Sequence, residues 1–169
     1  IKFIKQNKDR PFFLFLSYNG PYGLSPLLLR PARNRHHSYF ADKELPSFTR
    51  SIMHPWLHNN KKYLNNIVSI RRYGAEVAAI DDGVGKVIKT LEEQGLSENT
   101  LVVFCADQGW MGGQNGIWGM GDHTRPLTAF DEMMHVPLVF YHKGKIASGR
   151  VSDLMVSNYD LMGTLLNYL

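Results

Sequence analysis

Hydrophobic side chains recur at helical spacing in one long stretch of the sequence. Between Ile70 and Leu91 the apolar positions follow one another at intervals of three or four residues. This spacing places them on a single face of a helix. Gly95 comes shortly after the stretch, and glycine is common just beyond the end of a helix. The pattern therefore predicts a long amphipathic helix.

Short apolar runs elsewhere predict strands. Residues 12–17 show no polar alternation, which is typical of a strand buried on both faces. Residues 100–106 and 136–141 are apolar runs of strand length. A further short strand is expected near residues 151–156, followed by a helix capped by Ser157. The buried side of that helix would carry Leu161, Met162, Leu165, Leu166 and Leu169.

Strands that alternate with helices predict an α/β fold with a mostly parallel sheet flanked by helices. Residues 25–66 fit this scheme poorly, because they contain half of the prolines and little apolar periodicity. We expect residues 30–62 to be the least ordered region, since little buried surface would offset the entropy of ordering them.

Composition narrows the range of functions. The chain has 169 residues, 44% of them hydrophobic, which is enough for one domain with a core. No apolar run reaches the roughly 18 residues of a membrane span. The net charge is +4, and the basic side chains are concentrated in the first half of the chain. No nucleic-acid-binding motif accompanies them. We therefore expect neither a membrane span nor a nucleic-acid partner. The single cysteine, Cys105, lies within an apolar run, and we expect it to be a buried core thiol.

Candidate chemistry follows the strand at residues 100–106. Asp107 and Gln108 lie at its carboxyl end, where ligands bind in α/β folds. Their oxygens suit Ca²⁺ or Mg²⁺, although an aspartate here could equally form a turn. Glycines at high density follow and would let the backbone approach a ligand closely. Trp110 and Trp118 could stack on a sugar or aryl ring, or pack within the loop.

Several motifs together resemble a known family. The strings LEEQGLSENTLVVFCADQG, FDEMMHVPLVFYHKGKI and VSNYDLMGTLL occur in this order and resemble the C-terminal part of the sulfatase catalytic domain. That domain is a branch of the alkaline phosphatase superfamily. PFFLFLSYNGPYG likewise resembles a strand of the family. The resemblance implies an alkaline-phosphatase-like fold of which residues 1–169 form a single partial domain, without its N-terminal portion.

The resemblance also assigns roles to particular residues. Asp107 and Gln108 fall on metal-binding positions of the family, where the metal is usually calcium. The family often has a sulfate-binding lysine in the window GDHTRPLTAF, which contains none. The catalytic sulfate contacts therefore pass to His123 and Arg125, the cationic candidates there. The expected substrate-binding residues are Asn19 and Tyr22, where Tyr22 replaces a family histidine.

The implied reaction is metal-dependent hydrolysis of sulfate monoesters, either small-molecule or carbohydrate esters, through a formylglycine nucleophile. The nucleophile motif, Cys or Ser followed by x-Pro-x-Arg, does not occur in these residues. We expect it to lie upstream, and we expect this chain alone to be inactive. A phosphodiesterase or phosphonate hydrolase of the same superfamily, or a non-catalytic sulfatase-like binding protein, are the alternatives. The family suggests a periplasmic, secreted or lysosomal-type compartment.

Overall fold

Helices and strands are mixed along the chain, as the sequence predicts. The computed structural model describes residues 1–21 and 34–169. The helices in these ranges are α1 (Lys2–Asn7), α2 (His37–Phe40), α3 (Ile67–Glu93), α4 (Asp131–Met134) and α5 (Asp160–Tyr168). The strands there are β1 (Val102–Cys105), β2 (Met111–Gly112), β3 (Trp118–Gly119) and β4 (Leu138–Tyr141). Single 3-10 turns cover Ser97–Asn99, Gln114–Gly116 and Gly121–His123.

The predicted long helix is confirmed as α3, with 27 residues. Its first turn is capped by Asn66, whose side-chain oxygen accepts hydrogen bonds from the backbone N–H groups of Val68 and Ser69. Such a cap satisfies donors that have no partner inside the helix. Gly95 follows the last turn with a φ of 68°, a left-handed conformation that glycine adopts without strain. Local sequence therefore fixes both ends of α3.

Two strand pairs form in the described ranges, and both are antiparallel. β1 pairs with β4, with Val102 opposite Tyr141 and Cys105 opposite Leu138. β2 pairs with β3 in a short hairpin. The strands predicted at residues 100–106 and 136–141 are thus confirmed, but the parallel pairing expected between strands is not formed in the part of the chain that the structure describes.

Two predicted strands do not form within residues 1–21 and 34–169. Residues 12–17 form no ladder with any described segment, and Phe13 and Phe15 are 77% and 80% exposed. Residues 151–156 are likewise exposed and carry no strand pairing in the described ranges. A strand needs a neighbour to satisfy its backbone groups. Apolar composition alone therefore predicted these two strands wrongly.

Several side chains of β1 and near α5 are more exposed than predicted. Cys105 at the end of β1 is exposed, so the expectation of a buried core thiol is wrong. In α5, Leu161 and Leu165 are half-buried, whereas three residues expected on the buried side are exposed: Met162, Leu166 and Leu169. Among the described residues, little covers the outer faces of these two elements.

A buried histidine connects α5 to the rest of the fold. His142 lies directly after β4 and is only 5% exposed. Its Nδ1 lies 2.8 Å from the Tyr168 hydroxyl, and its Nε2 lies 3.1 Å from the Glu98 carbonyl oxygen. Both ring nitrogens therefore have partners, as burial of a polar side chain requires.

The core lies between α3, the β2–β3 hairpin and the segment before α3. One cluster contains Tyr63, Ile70 and Trp118, and a second contains Leu57, Met111, Ile117 and Met133. Residues 30–62 were expected to be the least ordered; residues 30–33 lie outside the described residues, and the described part, 34–62, supplies Leu57, which is 2% exposed. Its start is also fixed, because Arg35 and His36 both bind the Asp82 carboxylate on α3. None of the helices in the described ranges is long and apolar enough to cross a membrane.

Candidate active site

Asp107 and Gln108 lie just beyond β1. The backbone around them is held on both sides, since the Asn158 amide donates to the Ala106 carbonyl over 3.1 Å. The Gly109 N–H donates to the Met133 carbonyl over 2.9 Å. Both side chains are exposed. A fixed backbone therefore presents a carboxylate and an amide oxygen to the surface.

The oxygen atoms of these two side chains are of the kind that a hard cation binds. Calcium takes six to eight oxygen ligands, and carboxylate and amide oxygens are among its common ones. Within residues 1–21 and 34–169, no three His, Cys, Asp or Glu side chains come together as a group that could hold a metal ion. Asp107 and Gln108 would accordingly supply two oxygen ligands and leave the other positions to further groups.

Residues 109–125, here called the glycine-rich loop, follow directly. Gly113 and Gly116 have φ values of 120° and 68°. A Cβ atom on either would collide with the backbone carbonyl of Thr49 or Ile52, respectively. The glycines were expected to let the backbone approach a ligand. In the structure Gly113 and Gly116 let the loop pack against residues 49–54.

The two tryptophans of this loop face inward. Trp118 is fully buried and lies in the core with Tyr63. Trp110 is half-buried and stacks on Tyr73 with ring centroids 6.5 Å apart. Of the two roles considered for them, packing within the loop is the one that the structure supports. Stacking of Trp118 on a ligand ring is excluded by its burial.

His123 is buried within the loop and its ring is held in place. Its Nδ1 accepts a hydrogen bond from the Met120 N–H over 3.0 Å, so the ring proton resides on Nε2. Its carbonyl oxygen accepts from the N–H groups of His58 and Asn59. Gly119 has a φ of 134°, and any side chain there would collide with the imidazole.

The surroundings of His123 keep it neutral. Burial lowers the pKa of the imidazole, and nearby Arg125 lowers it further, while Asp122 acts in the opposite direction. The Asp122 carboxylate lies 3.6 Å from Nε2. At neutral pH, His123 therefore offers an Nε2–H donor rather than a positive charge.

Arg125 supplies the positive charge of the loop. It is exposed, and its Nη1 donates to the carbonyls of Asp122 and Thr124 over 2.7 and 2.6 Å. Its backbone N–H donates to the Trp56 carbonyl over 2.9 Å. Neither Nε nor Nη2 makes a hydrogen bond with the described part of the chain. Two guanidinium donors thus remain available for an anion.

The structure connects some of the predicted site residues and not others. His123 lies against Trp110, with ring centroids 5.7 Å apart, and Trp110 is two positions beyond Gln108. The oxygen donors therefore directly precede the packed loop that contains the sulfate-contact candidates His123 and Arg125. Asn19 is exposed and makes no side-chain hydrogen bond with the described residues. Tyr22 lies outside the residues that the structure describes.

Sequence reasoning missed the segment that supports this loop. Leu57 forms an isolated antiparallel bridge with Thr124, and the Thr124 hydroxyl lies 3.0 Å from that of Thr128. The segment around Leu57 has no helical or strand periodicity in the sequence. Its contacts depend on residues distant along the chain, and no local pattern could have indicated them.

Comparison with known proteins agrees with this architecture. The family model described as Sulfatase matches residues 1–169. Endo-4-O-sulfatase from Bacteroides thetaiotaomicron is 28% identical over 162 residues, which cover 95% of this chain and 29% of that enzyme. N-acetylgalactosamine-6-sulfatase from Rattus norvegicus is 36% identical over 122 residues, which cover 68% of this chain and 22% of that enzyme.

A solved structure shows the same likeness in three dimensions. It is reported for the metabolism of multiple glycosaminoglycans by Bacteroides thetaiotaomicron, and it superposes with a TM-score of 0.68 at 25% identity. The match covers 98% of this chain and 32% of that structure. The predicted α/β class and the sulfatase resemblance are thereby confirmed. The chain spans less than a third of each of these three relatives, and the family match along its whole length shows that it belongs to the sulfatase family.

Proposed function

We propose that residues 1–169 form the C-terminal portion of a sulfatase catalytic domain that hydrolyses sulfate monoesters. The observation that carries the proposal is the packed glycine-rich loop, which directly follows the oxygen donors Asp107 and Gln108 and ends at Arg125. Family membership supplies the reaction class. The partial coverage of the relatives is consistent with a nucleophile upstream of Ile1, where we place the formylglycine.

In this proposal Asp107 and Gln108 hold a Ca²⁺ ion, with Mg²⁺ as the alternative. The bound cation would supply positive charge next to the sulfate oxygens. Asp107 is the more important ligand, because only a carboxylate supplies the negative charge that the site needs. Gln108 adds a neutral oxygen.

Arg125 binds the sulfate group. Its Nε and Nη2 can donate two parallel hydrogen bonds to an oxyanion, while the Nη1 contacts keep the guanidinium close to the loop. His123 contributes a neutral Nε2–H donor and holds the loop in position through its ring and its carbonyl oxygen. Together these groups would stabilise the charge that develops on sulfate oxygens during hydrolysis.

The substrate would be a small-molecule or carbohydrate sulfate ester. The named relatives act on 4-O-sulfate or on N-acetylgalactosamine 6-sulfate groups, as their names state, so we propose a sulfated amino sugar. Asn19 and Tyr22 remain our proposed substrate-binding residues. The compartment stays a prediction.

Steady-state kinetics of Arg125→Ala in the complete protein test the proposed function. We expect the variant to raise KM or lower kcat for a sulfated amino-sugar disaccharide by about tenfold or more, because a charge-assisted contact is lost. Its bound metal should be unchanged. Lys145→Ala, an exposed cation outside the loop, is the matched control.

Turnover of a phosphodiester in place of the sulfate ester would overturn the sulfatase assignment in favour of the phosphodiesterase alternative. Absence of turnover with both esters, together with retained ligand binding, would instead favour the non-catalytic binding protein.

A further inference from the structure

Trp56 differs from the other two tryptophans of this chain. Trp118 is fully buried and Trp110 half-buried, whereas Trp56 is 46% exposed. A single exposed apolar side chain is common on protein surfaces and by itself indicates nothing. The position of Trp56 next to Arg125 is what distinguishes it.

The backbone places Trp56 and Arg125 on the same face. Leu57 stands opposite Thr124 in an antiparallel bridge, so the adjacent residues, Trp56 and Arg125, also stand opposite each other. The Arg125 N–H donates to the Trp56 carbonyl over 2.9 Å, as this register requires. Directly opposite residues of an antiparallel pair point to the same side.

Burial agrees with this assignment of faces. Leu57 and Thr124 are 2% and 0% exposed, so one face of the bridge points into the core. Trp56 and Arg125 are both exposed, as expected for the opposite face. Trp56 and Arg125 therefore occupy neighbouring, exposed backbone positions on two segments that are fixed to the core.

The indole is also held from its other side. The His54 ring packs edge-on against Trp56, with ring centroids 5.4 Å apart, and its Nδ1 accepts a hydrogen bond from the Trp56 N–H over 3.1 Å. His54 in turn packs against Phe130, with centroids 6.3 Å apart. This contact limits the orientations that the indole can adopt, so little entropy would be lost when a ligand packs against it.

The chemistry of the two neighbours suggests their ligand. An indole presents a flat apolar face, which suits the C–H face of a sugar ring, and Arg125 suits an oxyanion. In a sugar sulfate ester, one oxygen atom joins the sugar ring to the sulfate group. The residues that bind the ring and those that bind the sulfate must therefore be neighbours. The next residues, His58 and Asn59, are exposed and polar. They would suit sugar hydroxyls better than the continuous apolar surface of a steroid.

We propose that Trp56 is a specificity-determining residue that packs against the sugar ring whose sulfate is bound by Arg125. This inference rests on the proposed function and adds to it a residue that recognises the sugar. Trp56 takes no part in the chemical step. Its contribution should therefore appear in substrate binding and not in binding of the sulfate group alone.

The test uses the complete protein and three variants, Trp56→Ala, Trp56→Phe and Tyr39→Ala. Tyr39 is an exposed aromatic on α2 and serves as the control. The probes are 4- and 6-sulfated amino-sugar disaccharides, and binding is followed by saturation-transfer NMR beside steady-state kinetics. Inhibition by inorganic sulfate reports on the anion subsite without a ring.

We expect Trp56→Ala to weaken disaccharide binding and to raise KM about tenfold, with inhibition by inorganic sulfate unchanged. Trp56→Phe should restore most of the binding, and Tyr39→Ala should match the wild type. Equal disaccharide affinity in Trp56→Ala and wild type would overturn the inference, as would no binding of these disaccharides by the wild type. If the wild type binds them through Trp56 but turns over no sulfate ester, the inference stands and the proposed function fails.

Discussion

The glycine-rich loop and the β1–β4 sheet differ in where they place their apolar side chains. The loop and its partners contain most of the fully buried residues, among them Met111, Ile117 and Trp118. Next to β1 and β4, a groove of about 290 Å³ is lined by Val84, Ile88, Val102, Phe104, Val139 and Tyr141, and α5 leaves Met162 and Leu166 exposed. The part of the chain that carries the candidate site is thus stabilised by its own contacts, whereas the sheet and α5 are not covered by the residues that the structure describes.

The largest expected effect concerns the core under the loop. Trp118→Ala should lower the free energy of unfolding by about 3–5 kcal/mol, because it removes a fully buried aromatic side chain. Leu166→Ala on α5 should change it by less than about 0.5 kcal/mol, since its side chain is mostly exposed. Urea unfolding followed by circular dichroism measures both. Similar losses in the two variants would show that the loop and α5 do not differ in the way described.

A smaller effect is expected from the glycine that faces His123. Gly119→Ala should destabilise the chain by about 1–3 kcal/mol, because the residue has a positive φ and its Cβ would collide with the imidazole. Gly85→Ala is the matched control, since this exposed position within α3 has open space around it. There alanine should stabilise by about 0.5–1 kcal/mol. A Gly119→Ala variant with unchanged melting temperature would contradict the packing of this loop.

The pH dependence from His123 should be smaller still. Burial lowers the pKa of His123 in the folded chain below its usual value near 6.5. The folded state then binds fewer protons than the unfolded state, so this contribution to stability is present above pH 6.5 and is lost as the pH falls through the folded pKa. NMR titration of the imidazole should give a pKa below 6.5. A value at or above 6.5 would contradict the lowering of the His123 pKa by burial.

The sequence predicts some elements well because their signals are local. The long helix has a repeating apolar face, an asparagine cap and a terminal glycine, all readable within α3 and its flanks. The strands β1 and β4 are readable as short apolar runs, but the sequence does not show which strands are neighbours. Residues 12–17 are as apolar as β1 and β4, but no described segment pairs with them.

For the candidate site, the sequence predicts the residues and their chemistry but not the contacts that hold them in place. Asp107 and Gln108 were identified from their position after a strand, and Arg125 from a family window. The backbone around Asp107 and Gln108 is held by Asn158 and Met133. Arg125 is supported by the Trp56 carbonyl and by the bridge between Leu57 and Thr124. Contacts between residues that are distant along the chain produce no repeating pattern in the sequence. For the same reason the burial of His123, which keeps its ring neutral, could not be predicted.

The central claim is that Asp107, between β1 and the glycine-rich loop, is the charged ligand of a metal site. It is tested most directly by the metal content of the complete protein carrying Asp107→Asn, measured by mass spectrometry beside sulfate release from a sulfated disaccharide. Asp153→Asn, an exposed aspartate outside the loop, is the control. The account predicts that Asp107→Asn loses most of its calcium and its turnover, since the site loses its negative charge, while the control keeps both. Full calcium and full activity in Asp107→Asn would contradict the account.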